Sequence, residues 1–473
     1  MLLSDSDLAV LARLVRAQAD APVVDAAVDA VDVLRVELHI GVDAAGRRFL
    51  TRGPVPASPD ALRPSAEPPG SERTDREPPG SQRTGSASAS TGSAPAPAPA
   101  GSAPAAGRQP TSERVAPDAG RWRGCLLAGA VADALGAPVE AMPMERIREL
   151  AGPRGVTGML ANPDGVGRIT DDTQMTLFTL EGLIRAHTVL RREGRADVAH
   201  SLQMAYQRWL HTQGTPWPRA RGPRDSSDAP DGWLVRVPGL FKRRAPGATC
   251  FFTLQEYGKS GRTGSVARPP NDSKGCGGVM RAAPVALWSD DPDVVFEVAA
   301  ESAAITHGHP SGYLPAGVLA VTVHGLLRGA SLRDALDAAR ARLVRWDRHD
   351  ETSAALDAAL SLEGPPTPER VARLGDGAVG ESALAIAVYA AVSTDGLGAA
   401  LLASVNHGGD SDSTGAVCGN LVGALYGEDA IDPLWLAQLE LRDVVTRLAD
   451  DALVEFGPVA PTGGDWAVRY PTH

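Results

Sequence analysis

An all-α fold is what this sequence predicts, on three observations. The apolar residues, 43% of the chain, are mainly Ala, Leu and Val, and aromatics make up only 4%, a balance that favours close-packed helices over a β-sandwich. Beyond residue 121, apolar positions recur at helical spacing through a series of segments. Gly- and Pro-rich stretches separate those segments and mark loops.

The N-terminal part is different. Residues 5–18 place Leu8, Leu11 and Val15 at helical spacing, and 33–40 alternates like a half-buried strand before a turn at Asp43–Gly46 and a second short run at 47–51. Residues 1–53 therefore read as a small α+β module, or an arm that docks a partner the sequence does not name. Residues 54–118 are dominated by Pro, Ser, Gly, Ala and Thr and contain an imperfect repeat at 67–74 and 77–84. Such a segment buries too little apolar surface to offset its ordering entropy, so it reads as a disordered tether.

The main domain spans 119–456, followed by a tail at 457–473. Its expected helices are Gly124–Leu135, Met175–Arg191, Ala196–Leu210, Val294–Ala304, Pro315–Leu327, Glu381–Val392, Thr414–Leu425 and Pro433–Leu448. The longest expected loop, Thr212–Ser273, carries aromatic and basic residues, as substrate-binding loops often do.

A net charge of −11 argues against general affinity for nucleic-acid backbones. Cys125, Cys250, Cys276 and Cys418 are scattered, without zinc spacing or a disulfide framework, and read as reduced thiols. The start of the chain lacks signal-peptide character, and no run is apolar for long enough to span a membrane, so a cytoplasmic location is expected.

Two acidic clusters stand out, Thr170-Asp171-Asp172-Thr173 and Asp410-Ser411-Asp412-Ser413-Thr414, each directly before an apolar helical stretch. Either one alone is explained by capping, because Ser, Thr and Asp are good N-caps and acids in a first turn complement the helix dipole. Together they supply more acids than capping needs. Hard cations such as Mg²⁺ or Mn²⁺ prefer carboxylate and hydroxyl oxygens and relieve the repulsion of carboxylates held close together. The pair Gly408-Gly409 permits the tight backbone such a loop requires.

Three further segments carry polar groups. Asp133, in a helix of small residues, reads as a satisfied interior polar group, while Glu140, just past the following turn, can reach a central site. In Lys274–Pro284 the glycines free backbone N–H groups for phosphate or ribose, and Arg281 reads as bracing a core carboxylate rather than touching a diphosphate. His307 and His309 have no third His or Cys ligand nearby, so hydrogen bonding fits them better than zinc.

Taken in order, the motifs GAVADALGAPVE, TDDTQ, GCGGVMRAAP, THGHPSG and NHGGDSDSTGAVCGN, running from about Gly124 to Gly427, resemble the ADP-ribosylglycohydrolase family, the group that includes the dinitrogenase reductase-activating glycohydrolase. The resemblance implies a compact bundle of largely orthogonal helices with two Mg²⁺ (or Mn²⁺) ions in a cleft. It assigns Thr170, Asp171 and Asp172 to one ligand set and Asp410, Asp412 and Ser413 to the other, with Glu140 assisting catalysis or gating the cleft. Two residues depart from the usual pattern: Ala132 stands where Gly is frequent before the Asp, and Ser413 where Thr is frequent.

The implied reaction is hydrolysis of an ADP-ribose linkage, with Asp171, Asp172, Asp410 and Asp412 as ligands and one of them doubling as base. The implied substrate is an ADP-ribosylated protein, nucleic acid or small molecule. Two other readings share these residues: a non-catalytic ADP-ribose binder or toxin-immunity protein, and a hydrolase of another nucleotide or sugar conjugate.

Overall fold

The computed structural model describes residues 38–42, 48–52 and 117–472, except 161 and 163. The expected helix at 5–18 and nearly all of the expected tether lie outside the described residues. In the N-terminal part, β1 (Leu38–Val42) and β2 (Arg48–Arg52) pair antiparallel, with Leu38 opposite Arg52 and Ile40 opposite Leu50. The first strand runs two residues past its expected end.

From Asp118 onward the chain is helical. The longer helices are α1 (Ala119–Gly136), α2 (Met144–Ala151), α3 (Asp171–Glu193), α4 (Val198–Thr212), α5 (Ala248–Ser260), α6 (Pro292–Ala304) and α7 (Pro310–Leu327). They are followed by α8 (Leu332–Leu343), α9 (Asp350–Ser361), α10 (Gly380–Val392), α11 (Leu397–Val405), α12 (Ser411–Tyr426) and α13 (Arg442–Glu455). Among the described residues no single helix is long and apolar enough to cross a membrane.

The centre of the domain is the contact between α1 and α12. Both are buried over nearly all of their surface, as expected of helices apolar all round. Small residues let their backbones touch: a methyl group added at Gly423 would lie 2.1 Å from the Gly124 carbonyl oxygen, and one at Gly136 would lie 2.4 Å from that of Ser411. Overpacking of this kind costs about 1–3 kcal/mol or more, because backbone cannot step aside as a side chain can. The contact sets the end of α1 beside the start of α12.

Several boundaries differ from expectation for identifiable reasons. Helix α7 starts at Pro310 rather than Pro315, because His309 caps it by accepting a hydrogen bond from the Ser311 N–H and Pro310 occupies the first turn. The expected helix Pro433–Leu448 is split in two. Residues 438–440 are diverted to bond Gly167, with its N–H donating to the Gln438 carbonyl (2.7 Å) and its carbonyl accepting from Glu440 N–H (3.0 Å). The expected loop Thr212–Ser273 contains α5, which buries Cys250, Leu254 and Tyr257 on one face.

The expected tail is also packed. Trp466 donates to Glu455 (3.1 Å), and the Tyr470 hydroxyl donates to Asp451 (2.7 Å) while accepting from Trp233 (3.1 Å). This segment completes the core below α13 rather than trailing from it.

Candidate metal centre

The first acidic cluster is organised by Asp133 of α1. This carboxylate is fully buried and accepts hydrogen bonds from the backbone N–H groups of Thr170 (3.0 Å) and Thr173 (3.2 Å) and from the Thr173 hydroxyl. It thereby satisfies donors that a helix N-terminus leaves open, as an interior polar group was expected to do. Burial raises its pKa to about 6, with the hydrogen bonds from Thr173 and Thr170 opposing.

Thr170 is itself the N-cap of α3, its hydroxyl accepting from Asp172 N–H at 3.2 Å. Capping and clustering therefore hold together. Once Asp133 and Thr170 have capped the helix, Asp171 and Asp172 are left for other work. One Asp171 oxygen accepts from Gly247 N–H at 2.9 Å, which joins the start of α5 to the site.

The second cluster is set by backbone. Asp410 N–H donates to the Asp376 carbonyl (2.7 Å), and a methyl group on Gly409 would lie 1.9 Å from that same oxygen, so only glycine fits there. The Gly409 carbonyl in turn accepts from Ala141 N–H (2.8 Å), fixing the segment that carries Glu140. The result is a convergence of Glu140, Asp410 and Asp412, each offering one carboxylate oxygen, with these oxygens within 4.8 Å of one another.

The two clusters meet. Asp172 is held well above the usual carboxylate range by burial and by the charges of Asp133, Asp171 and Asp410, partly offset by the Ser413 hydroxyl. Asp412 is raised by burial and by Glu140, Asp410, Asp172 and Asp133. Asp412 Oδ1 has no hydrogen-bond partner among the described residues, and Asp172 Oδ1 lacks one of good geometry. Buried orphan oxygens of this kind call for a cation, and a donor set of carboxylates and hydroxyls fits a hard divalent ion. Glu140 is half-buried at the edge, while Thr170, Asp171, Asp172, Asp410, Asp412 and Ser413 are buried.

Other polar segments support the site from behind. The Gly-rich loop packs on His307, whose Nδ1 shares a 2.9 Å hydrogen bond with the Thr306 hydroxyl and whose pKa burial pushes down to about 3. His309 caps α7 and pairs with Arg348, so the two imidazoles do not form a zinc pair. Among the described residues Arg281 braces no carboxylate. Fully buried, it donates to Ser302 O (3.2 Å), the Thr306 hydroxyl (2.7 Å) and Cys250 Sγ (3.2 Å), and lies over the Tyr206 ring. In the sequence Cys276 reads only as one of four scattered reduced thiols, among glycines that signal a loop. Its thiol donates to Asp410 Oδ2 at 3.3 Å and reaches Ser413 Oγ at 3.5 Å.

A groove of about 1680 Å³ lies between α4, α5 and the segment 261–273; none of the acidic residues of the two clusters lines it, and Ala248 in its wall follows Gly247, which bonds Asp171. Thr249 and Ser273, close in sequence to Gly247 and to the Gly-rich loop, line it together with Phe252, Arg262 and Arg268.

Fold and site define an all-helical domain with a buried, carboxylate-rich centre suited to metal-dependent hydrolysis. Comparison with known proteins is consistent with this. The sequence profile of the ADP-ribosylglycohydrolase family matches residues 111–461, and the chain belongs to that family of glycohydrolase enzymes. It is 30% identical over 329 residues to the ADP-ribosyl-[dinitrogen reductase] glycohydrolase of Rhodospirillum rubrum, covering 68% of this chain and 91% of that one. It is 24% identical to the ADP-ribosylhydrolase ARH3 of Gallus gallus, covering 71% and 94%. A solved structure named ADP-ribosylglycohydrolase-related protein complex superposes with a TM-score of 0.50 at 26% identity, covering 71% of this chain and 97% of that one.

Proposed function

We propose that the protein hydrolyses the glycosidic bond between ADP-ribose and its acceptor at a dinuclear Mg²⁺ or Mn²⁺ centre. The observation that carries this reading is the meeting of two carboxylate clusters with orphaned buried oxygens. Thr170, Asp171 and Asp172 from α3, and Asp410, Asp412 and Ser413 from α12, would hold the ions. When bound, the ions supply Lewis-acid polarisation of ribose hydroxyls and water.

The residues of the chain do the rest. One of the four aspartates takes the proton of the attacking water as the anomeric carbon gains oxocarbenium character. Glu140 sits at the edge of the cluster, half-buried, where it can donate or accept a proton or close the cleft. The groove along α5 takes the acceptor side of the substrate. Two relatives are named for protein or arginine substrates, the Rhodospirillum rubrum enzyme and the ADP-ribosylarginine hydrolase Tri1 of Serratia proteamaculans. An ADP-ribosylated side chain is accordingly the substrate class to try first.

The test is release of ADP-ribose from ADP-ribosylated arginine, serine and nucleic-acid substrates in Mg²⁺ or Mn²⁺. Release is expected with at least one acceptor and is expected to cease when the metal is chelated. Release that survives chelation, or full activity in the double variant Asp410→Ala/Asp412→Ala, would refute the centre.

A further inference from the structure

The break in the helix expected at Pro433–Leu448 contains a strained residue. Leu441 has φ 56° and ψ 24°, a left-handed conformation that crowds any side chain with a β-carbon. A bulky residue stays in that region only where its surroundings impose it, and such positions gather at functional sites. The residue before it shows what the break achieves.

Glu440 is turned toward the chain that enters α3. Its Oε2 accepts from Ile169 N–H at 3.2 Å, while Oε1 accepts from Arg244 Nη2 at 2.6 Å and more loosely from Arg168 Nη1 at 3.4 Å. The side chain is only 11% exposed, so these charge-assisted bonds are weakly screened. Both carboxylate oxygens lead to Asp171. Ile169 lies two residues before it in the chain. On the other side, the Arg244 carbonyl accepts the Asp171 N–H (3.1 Å), and Gly247 N–H, three residues on, donates to Asp171 Oδ2 (2.9 Å). Segment 244–247 thus grips Asp171 by backbone and by side chain, and Glu440 ties that segment to the start of α3.

We propose that Glu440 is a positioning residue for the first acidic cluster, and that the break before α13 serves to set its carboxylate where it fixes the direction of Asp171. The inference rests on the metal centre proposed above, in which Asp171 is a ligand. Without the Glu440 carboxylate, Arg244 and Ile169 lose their shared partner and the grip on Asp171 loosens. Groups that orient a metal ligand from behind typically contribute about 10–100-fold to metal affinity.

The experiment titrates the full chain with Mn²⁺ in a calorimeter. Glu440→Leu is expected to bind Mn²⁺ about tenfold or more weakly than wild type, and Glu440→Gln only about threefold more weakly, because its amide oxygen still accepts from Ile169 N–H. Leu441→Gly relieves the left-handed crowding and keeps Glu440 in place, so its Mn²⁺ affinity should stay within about twofold of wild type. Leu448→Ala, at a fully buried position on α13, is the control for general loosening: it should lower Tm and leave Mn²⁺ affinity within about twofold. The helical circular dichroism of each variant is compared with wild type.

Mn²⁺ affinity of Glu440→Leu within about twofold of wild type, or an equal loss in Leu448→Ala, overturns the role of Glu440 and leaves the oxygen centre standing. Absence of Mn²⁺ binding by the wild-type protein overturns the centre itself and this inference with it.

Discussion

The starts of α3 and α12 carry similar residues and are built in different ways. At α3, side chains do the organising: Asp133 from α1 and the helix's own N-cap Thr170 satisfy the N-terminal donors, and the following aspartates are spared. At α12, the Asp410 side chain makes no cap bond, and backbone contacts at Gly409 and Asp376 hold the turn. A side-chain scaffold tolerates conservative exchange, whereas a backbone scaffold fails once a methyl group is added. The two halves of one centre should therefore break under different substitutions.

The largest effect is expected from Asp410→Ala/Asp412→Ala, which should lower ADP-ribose release by about 10³-fold or more. The metal-free variant should melt no lower than metal-free wild type, because two mutually repelling buried acids are gone, and should not show the rise in Tm with Mn²⁺ that is expected of wild type. Next comes Gly409→Ala, expected to cost about 3 kcal/mol in chemical denaturation, since the new methyl group meets a carbonyl rather than a movable side chain.

On the side-chain scaffold, Asp133→Asn should cost less, about 1–3 kcal/mol, because the amide oxygen can still accept one of the bonds the carboxylate takes. This residue also sets a pH dependence. Its folded-state pKa, raised to about 6 against 3.8 unfolded, favours the protonated native form. That contribution to stability is complete below pH 4 and is lost as pH rises through 6. The metal-free wild type should therefore lose more stability between pH 5 and 7 than Asp133→Asn does, as thermal melts would show, and a bound divalent cation should flatten the difference. The smallest effect is expected from Thr170→Ala, about 1 kcal/mol from loss of the cap, read against its loss of Mn²⁺ affinity.

Much of this was legible because it depends on local residue types. The acidic clusters, the glycine pair, Glu140 past its turn and the interior role of Asp133 are all visible as short patterns. What escaped depends on contacts distant in sequence. The break at 439–441 arises from pairing with Gly167, and nothing in Pro433–Leu448 signals it. Helix α5 carries its apolar face as Cys250, Leu254 and Tyr257, a spacing masked by the Gly, Pro and basic residues around it. Trp466 and Tyr470 gave a hint that the last residues pack, since two aromatics rarely follow a domain without joining its core. Cys276 became informative only once the fold set its sulfur beside Asp410.

The contact between α1 and α12 has a mechanical consequence. Where carbonyl oxygens rest against glycine Cα atoms, there is no layer of side chains to deform, so the two helices behave as one stiff rod carrying donors at the same end. A slide of one helix past the other by a single residue, about 1.5 Å, would collide along the whole seam. The spacing between Asp133, which organises the start of α3, and the start of α12 is thus as rigid as the backbone itself.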